Sequence, residues 1–167
     1  VGSEMCIRDS PTVARGWQCA LTVPRELSMR DGKLCQQPAH EIERMRGDCV
    51  RATGGETVEE PGRLFDVVVS CEGAKMIELE IRKGVFVRYT DGMLTLDMGD
   101  EGYGRDQRSI ELGELRDLRV LSDTTMVEIF ANGGEAALTS RTYSPAVPAM
   151  ELHAEGAASM DFYRLAH

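Results

Sequence analysis

KMIELEIRKGVFVRYTDGMLTLDM, residues 75–98, alternates apolar and polar side chains over three consecutive segments. Such alternation predicts strands that bury one face and leave the other in water. Asp91-Gly92 is the dipeptide expected at a tight turn between two of these strands. The predicted inward row is Ile77, Leu79, Ile81, Leu94, Leu96 and Met98. The predicted outward row is Glu78, Glu80 and Arg82.

Similar short strands are predicted on both sides of this stretch. Phe65, Val67 and Val69 share one face of an upstream strand. A polar, glycine-rich stretch covers Ala52–Gly62, and a polar loop covers Gly99–Arg108. The downstream strands are Ser109–Leu112, Leu118–Leu121, Met126–Phe130, Ala136–Arg141, Ala149–His153 and Ser159–Tyr163. About ten short strands with little helix predict an all-β fold, an antiparallel two-sheet β-sandwich, which by itself specifies no function.

The region before residue 48 has a different pattern. Trp17–Val23 and Glu26–Met29 are predicted strands separated by Pro24. Asp31-Gly32 predicts a hairpin between the second of these and a strand at Lys33–Gln37, which Pro38 ends. His40–Arg46 has the spacing of one short helix, closed by Gly47-Asp48. We therefore predict a hairpin and a linker helix ahead of the sandwich.

Composition excludes some classes of protein. The net charge of −9 argues against a nucleic-acid partner, because phosphate binding rests on clustered Lys and Arg. No apolar run approaches the roughly 20 residues that span a bilayer, so no membrane partner is expected. The cysteines are odd in number and lack CxxC spacing, so we expect small buried thiols rather than zinc ligands or disulfides. They are Cys6, Cys19, Cys35, Cys49 and Cys71.

The first ten residues, VGSEMCIRDS, show neither alternation nor helical periodicity. We interpret residues 1–10 as a non-native leader, such as translated linker or adapter sequence. A disordered native terminus is the alternative. Neither interpretation assigns these residues a role.

A search for catalytic, cofactor-binding and metal-binding motifs assigns no residue to any of these roles. His40, His153 and His167 lack a metal-ligand spacing such as HExxH. Ser140 and Ser144 lack the GxSxG elbow of a hydrolase nucleophile. Gly102-Tyr103-Gly104 is not GxGxxG, and no βαβ unit surrounds it. We predict no cofactor.

Aromatic residues leave one alternative open. Trp17 could stack on a sugar ring, although packing is the favoured interpretation. Several tyrosines could form a carbohydrate-binding platform if they shared one exposed face. These are Tyr89, Tyr103, Tyr143 and Tyr163.

Two stretches resemble the C-terminal part of family 32 glycoside hydrolases, the group of invertases, inulinases and sucrose-6-phosphate hydrolases. Gly16–Pro38 reads GWQCALTVPRELSMRDGKLCQQP, and Leu121–Pro145 reads LSDTTMVEIFANGGEAALTSRTYSP. The resemblance implies an incomplete last blade of a five-bladed β-propeller over residues 11–38. It further implies a linker helix over residues 39–47 and the sandwich over residues 48–167.

The family's catalytic carboxylates lie in Asn-Asp-Pro-Asn-Gly, Arg-Asp-Pro and Glu-Cys-Pro motifs, none of which occurs here. Arg8-Asp9-Ser10-Pro11 and Glu59-Glu60-Pro61 are near misses that we attribute to chance. The resemblance therefore implies a part of an enzyme that is inactive alone.

The parent enzyme would be a retaining β-fructofuranosidase, cytoplasmic in the sucrose-6-phosphate branch. The sandwich would support its catalytic propeller, and in some family members it assists oligomerisation. A free-standing carbohydrate-binding sandwich is the alternative. A truncated coding sequence is a third interpretation, and we expect it to hold together with the first: a supporting domain seen through an incomplete sequence. Unpaired strands before Pro38 predict self-association that deletion of residues 1–38 relieves.

Overall fold

The computed structural model describes residues 11–102 and 105–166. In these described residues, fourteen strands form a two-stranded hairpin and two antiparallel six-stranded sheets, which confirms the predicted sandwich, and three short 3-10 helices accompany them. The strands are β1 (Arg25–Arg30), β2 (Lys33–Pro38), β3 (Arg46–Thr53), β4 (Thr57–Glu59), β5 (Phe65–Ser70), β6 (Met76–Arg82), β7 (Val85–Thr90), β8 (Met93–Asp97), β9 (Gln107–Glu111), β10 (Asp117–Ser122), β11 (Met126–Ala131), β12 (Ala136–Arg141), β13 (Ala149–Glu155) and β14 (Ser159–Leu165). The 3-10 helices are Val13–Arg15, His40–Met45 and Gly99–Gly102.

The first sheet has the strand order β12-β11-β10-β5-β14-β3, and the second has the order β4-β13-β6-β7-β8-β9. Their facing aliphatic rows form one buried core, as the alternation predicted. Phe65 and Phe162 meet in this core with ring centroids 5.6 Å apart. The predicted inward row from Ile77 to Met98 is buried throughout.

Both aspartate-glycine turns have the backbone that their sequence predicts. Asp31 and Gly32 have φ values of 50° and 74°, and Asp91 and Gly92 have 50° and 78°. Two successive positive φ values suit the right-handed twist of the flanking strands. The first turn sets the register of the hairpin, in which Arg30 pairs with Lys33.

The prediction that Arg82 points outward was wrong. A β-bulge between Glu80 and Arg82 shifts the register against β7, so that Ile81 and Arg82 are both fully buried. The guanidinium donates to the Ser122 hydroxyl and to the backbone oxygens of Arg63 and Asp123. Burial lowers its pKa to about 10.

Several predicted boundaries also change. Trp17–Val23 forms no strand, because no ladder partner pairs with it among the described residues. The linker helix ends at Met45, and Gly47-Asp48 lies inside β3 rather than closing that helix. The predicted loop Gly99–Arg108 contains a 3-10 helix and the start of β9.

Strands β3 and β4 were missed because their sequences carry little hydrophobic signal. Both lie at sheet edges, and Ala52 and Val58 are their only buried residues. The expectation of buried cysteines is half right. Cys35 and Cys71 are buried, whereas Cys19 and Cys49 are exposed. Cys6 lies outside the described residues.

The hairpin carries an exposed apolar row of Leu27, Met29 and Leu34, with 65%, 68% and 53% of their surfaces accessible. Met29 and Leu34 are direct cross-strand partners. An apolar row of this kind fits the predicted self-association, which stays a prediction.

We expect Arg82→Met to lower the free energy of unfolding by about 2–4 kcal/mol, because the Ser122 hydroxyl and two backbone oxygens lose their buried donor. Arg88→Met is the matched control: Arg88 is half-buried on the outer face of β7, where it binds Glu78 and Asp97. The control should cost about 1 kcal/mol or less. Urea unfolding of both variants measures the difference, and equal losses would contradict the structural role of Arg82.

Candidate functional site at the hairpin–sandwich joint

The outer face of strand β11, in the first sheet, is covered by the N-terminal segment. All six residues of β11 are buried, although alternation would leave three of them in water. Val127, Ile129 and Ala131 point into the sandwich core. Glu128 and Phe130 lie on the opposite face, where Arg25 of the hairpin contacts both side chains. We call this contact region, between residues 12–45 and the outer face of the first sheet, the joint.

The Glu128 carboxylate is the centre of the joint. The residue as a whole is 2% exposed, and its carboxylate accepts hydrogen bonds from the Val23 backbone N–H at 2.7 Å and from Arg25 Nη2 at 2.6 Å. The same Nη2 donates to the Thr139 hydroxyl on β12 at 2.8 Å. A buried carboxylate is tolerated only when charged and hydrogen-bonded partners surround it. Here those partners come from the hairpin side.

A second set of bonds docks β2 on the turn between β11 and β12. The Gln36 N–H donates to the Gly134 oxygen at 2.8 Å. Arg30 and the Gln37 side chain both donate to the Gly133 oxygen, at 2.6 and 2.7 Å. Lys33 Nζ adds an ion pair to the Glu135 side chain at 3.5 Å, so the hairpin binds this turn mainly through its backbone oxygens.

Glycine is required at this turn by space as well as by backbone angle. Gly134 has a φ of 88°, and a Cβ there would lie 2.1 Å from the Gln36 oxygen. Asn132, with a φ of 53°, holds the turn by accepting from the Arg116 N–H and donating to the Glu114 oxygen. The Asp117 carboxylate accepts from the Gly133 N–H. The sequence Asn132-Gly133-Gly134 therefore forms the surface on which β2 packs.

The linker region is held by a second buried carboxylate. Asp66 on β5 is fully buried and accepts from Arg46 at 2.7 Å and from Arg119 at 2.7 and 3.0 Å. Arg46 also lies over the ring of Tyr163, 4.4 Å from its centroid. These bonds join the start of β3 to the centre of the first sheet.

At the far end of the joint, the Arg141 guanidinium contacts the rings of Trp17 and Tyr143, 5.6 and 5.3 Å from their centroids. Its Nη2 donates to the Thr12 hydroxyl at 3.2 Å. Trp17 remains 40% exposed. The packing interpretation of Trp17 is therefore supported by a contact with the sandwich.

The remaining candidate residues do not come together as a catalytic group. Ser140 and Ser144 are buried, and Ser144 donates to Glu101. His153 lies on the outer face of the second sheet near Glu151. Glu59 and Glu60 offer their backbone oxygens to Arg164. Arg8-Asp9-Ser10, Tyr103-Gly104 and His167 lie outside the described residues.

The tyrosines do not share one exposed face in the described part of the chain. Tyr89 is buried, with its hydroxyl donating to the Gly113 oxygen at 2.5 Å. Tyr143 and Tyr163 are half-buried beneath arginines. None of the helices in residues 11–102 and 105–166 is long and apolar enough to cross a membrane.

One cluster of potential metal ligands occurs among the described residues, and it consists of Glu26, His40 and Glu41. All three are exposed. His40 Nδ1 lies 2.7 Å from Glu26 and Nε2 lies 3.4 Å from Glu41, so the carboxylates flank opposite nitrogens of the ring. The hydrogen bond to Glu26, with the charge of Glu41, raises the pKa of His40. This arrangement is an ion pair between β1 and the linker.

Comparison with known proteins identifies the class to which this architecture belongs. The family model described as "Glycosyl hydrolases family 32 C terminal" matches residues 78–165. The chain belongs to glycosyl hydrolase family 32 and carries its C-terminal domain. The resemblance drawn from the two sequence stretches is thereby confirmed.

Two relatives show how much of a family member the chain covers. Raffinose invertase of Escherichia coli is 36% identical, with 81% of this chain and 32% of the relative aligned. Sucrose-6-phosphate hydrolase of Salmonella typhimurium is 32% identical, covering 87% of this chain and 30% of the relative. The chain therefore spans about a third of the length of the curated relatives it matches.

Solved structures share the fold. Sucrose-6-phosphate hydrolase from Lactobacillus gasseri superposes with a TM-score of 0.81 at 18% identity, over 94% of this chain and 36% of that one. Exo-inulinase from Aspergillus awamori gives 0.78 at 19% identity, over 97% and 38%.

The two stretches that carry the resemblance are the two sides of the joint. Glu128, Gly133 and Gly134 belong to the second stretch, and Val23, Arg25 and Gln36 belong to the first. Sequence reasoning missed their contact because they lie about a hundred residues apart in the chain. The buried glutamate inside an otherwise apolar strand was the available signal.

We expect Gly134→Ala to detach the hairpin from the sandwich, because its Cβ would collide with the Gln36 backbone. Gly73→Ala is the matched control: Gly73 has a similar φ of 77° but nothing within 4 Å of an added Cβ. Trypsin should cleave after Arg30 and Lys33 much faster in Gly134→Ala than in the control. Equal cleavage rates would show that backbone strain, rather than docking, explains the glycine.

The His40–Glu26 pair should make the contact between β1 and the linker depend on pH. The folded pKa of His40 is raised above 6.5, so its contribution is full below that value and is lost as pH rises through the folded pKa. The pKa of Glu26 is lowered below 4.5 by its hydrogen bonds to His40, so its contribution is lost as pH falls through that pKa. The pair is therefore most stabilising at mildly acidic pH.

An NMR titration of the His40 imidazole tests this expectation. Glu26→Gln should lower the pKa of His40 toward its ordinary value, while Glu151→Gln, on the other side of the sandwich, should leave it unchanged. An unaltered His40 pKa in Glu26→Gln would exclude the pair.

Proposed function

We propose that this chain is the supporting C-terminal domain of a β-fructofuranosidase, a sucrose or sucrose-6-phosphate hydrolase. The joint carries this proposal. A sandwich with no assigned catalytic residue buries the outer face of β11 under the N-terminal segment, and the hairpin in that segment carries an exposed apolar row. A surface of this kind is expected where another part of the same polypeptide packs.

In this proposal residues 11–38 are the end of the last propeller blade, residues 39–47 are the linker and residues 48–167 are the sandwich. The catalytic propeller of the same polypeptide would pack on Leu27, Met29 and Leu34. Its carboxylates would hydrolyse terminal β-D-fructofuranosides with retention. The names of the relatives and the length they have beyond this chain support this division of labour.

We further propose a cytoplasmic location and a capacity to form homo-oligomers. The location is supported by the sucrose-6-phosphate hydrolases among the relatives and by free thiols at four described cysteines. The exposed row on the hairpin supports self-association when nothing else covers it. Light scattering of the chain and of its Leu27→Ser, Met29→Thr, Leu34→Ser variant would measure the contribution of this row.

The free-standing carbohydrate-binding module has less support. Its aromatic platform is missing among the described residues, since Tyr89 is buried and Tyr143 and Tyr163 lie beneath arginines. The joint also buries the outer face of β11, which is therefore not part of a flat binding surface.

A chimera tests the supporting role directly. The aligned C-terminal third of E. coli raffinose invertase is replaced by residues 11–167 of this chain, and soluble yield and raffinose hydrolysis are measured. We expect the chimera to recover soluble, active enzyme that the truncated relative lacks. The chain alone should hydrolyse neither raffinose nor sucrose.

Substitutions in the joint test whether the chimera depends on the contact between the hairpin and the sandwich. Gly134→Ala in the chimera should reduce soluble yield and thermal stability, whereas Gly73→Ala should change both much less. Full activity in the truncated relative, or hydrolysis by the isolated chain, would overturn the proposal.

A further inference from the structure

The cluster of Glu26, His40 and Glu41 has the composition of a metal site as well as of an ion pair. Glu26 lies on β1, and His40 and Glu41 begin the linker 3-10 helix. One nitrogen or oxygen atom of each lies within 4.8 Å of the other two. An imidazole with two carboxylates is a ligand set that suits zinc and related divalent ions. No sequence motif reveals the set, because Glu26 precedes His40 by fourteen residues.

The two ring nitrogens of His40 have different surroundings. Nδ1 lies 2.7 Å from a Glu26 oxygen, and a carboxylate oxygen only accepts, so Nδ1 carries the hydrogen of this bond. A neutral imidazole has one N–H, which leaves a lone pair on Nε2. That nitrogen lies 3.4 Å from a Glu41 oxygen. Two acceptors that face each other in this way repel unless a proton or a metal ion lies between them.

The separation of 3.4 Å between Nε2 and the Glu41 oxygen matches a bound zinc ion. Zinc–nitrogen and zinc–oxygen bonds are about 2.0–2.1 Å long, so at a tetrahedral angle the two ligand atoms lie about 3.3–3.4 Å apart. The 2.7 Å between Nδ1 and Glu26 is instead a hydrogen-bond distance. Histidine ligands commonly donate their second N–H to a carboxylate, which fixes the ring and its tautomer.

The backbone holds the cluster together before any ion binds. The Ala39 N–H donates to the Pro24 oxygen at 2.8 Å, and the His40 N–H donates to the Glu26 carboxylate at 3.2 Å. These bonds place the first residues of the linker helix against the start of β1. Ligand atoms that are already positioned lose little entropy when they bind. All three side chains are exposed, so water can fill the other coordination positions.

His153 shows that an exposed histidine beside one glutamate is not sufficient. Its Nδ1 lies 3.6 Å from a Glu151 oxygen. In residues 11–102 and 105–166, however, no cluster of three potential ligands includes His153. His153 therefore provides a control with the same side chain and a similar neighbour, but without the second carboxylate.

We propose that His40 Nε2 and Glu41 bind a divalent transition-metal ion, for which zinc is the best match. Glu26 is the positioning residue that holds Nδ1–H, and water completes the coordination. The ion takes the place of the proton between Nε2 and Glu41, and it ties the linker helix to β1 through His40 and Glu26. The site rests on the geometry of this cluster and is independent of the proposed function.

The test is a zinc titration of the full chain without a polyhistidine tag at about pH 7, followed by calorimetry and by NMR of the imidazole nitrogens. Cys6→Ser, Cys19→Ser and Cys49→Ser are combined in the background so that thiolates do not compete for zinc. We expect one ion per chain with a dissociation constant of about 10–200 µM, because only two protein ligands hold it. The largest change should be at His40 Nε2. Magnesium should bind about tenfold or more weakly, since it prefers oxygen ligands.

Substitutions separate the roles of the three residues. His40→Gln should abolish binding, and Glu41→Gln should weaken it about tenfold. Glu26→Gln should weaken binding about tenfold and should alter the share of the two His40 tautomers in the metal-free chain, which loss of a remote charge would not do. His153→Gln is the matched control and should leave the affinity unchanged. The amide spectrum of each variant checks that it is folded.

Three results would overturn the proposal: zinc binding that persists in His40→Gln, equal affinities for zinc and magnesium, or no saturable binding up to about 2 mM zinc, where a site of the expected strength would be filled. The chimera experiment measures the supporting role without added zinc. An active chimera without a zinc site would therefore reject the site and leave the proposed function intact.

Discussion

The architecture of this chain depends on a carboxylate that cannot remain buried alone. Glu128 lies in the middle of β11, where five apolar or small residues accompany it, and its side chain is 3% exposed. Removing one partner of a buried ion pair typically costs about 3–5 kcal/mol. Arg25 and the Val23 N–H supply the compensation, so the sheet is fully satisfied only with the N-terminal segment in place.

This dependence explains why the two halves of the structure form one unit. The sandwich core needs only its aliphatic rows, but the outer face of its first sheet needs the hairpin and the linker. Asp66 is a second buried carboxylate, and it is compensated in the same way by Arg46 and Arg119. The hairpin is in turn left with Leu27, Met29 and Leu34 uncovered. The apolar surface left exposed is therefore on the hairpin, where we propose that the propeller packs.

The all-β class, the inward rows and the aspartate-glycine turns could be predicted because they follow from local rules: a period of two and a positive φ. The errors have physical causes too. The bulge at Glu80 and Arg82 reverses the alternation by one residue, which a strict period cannot anticipate. Edge strand β3 has one covered residue and so no apolar pattern to read.

The sequence by itself determined the sandwich, the family and the two stretches that carry the family resemblance, because each follows from a local pattern or motif. Only the tertiary structure decided what those stretches do. Glu128 reaches Val23 across 105 residues of chain, and position 134 excludes any side chain because β2 lies against it. Contacts between segments so far apart leave no periodic trace in either segment. These contacts form only when folding brings the two segments together.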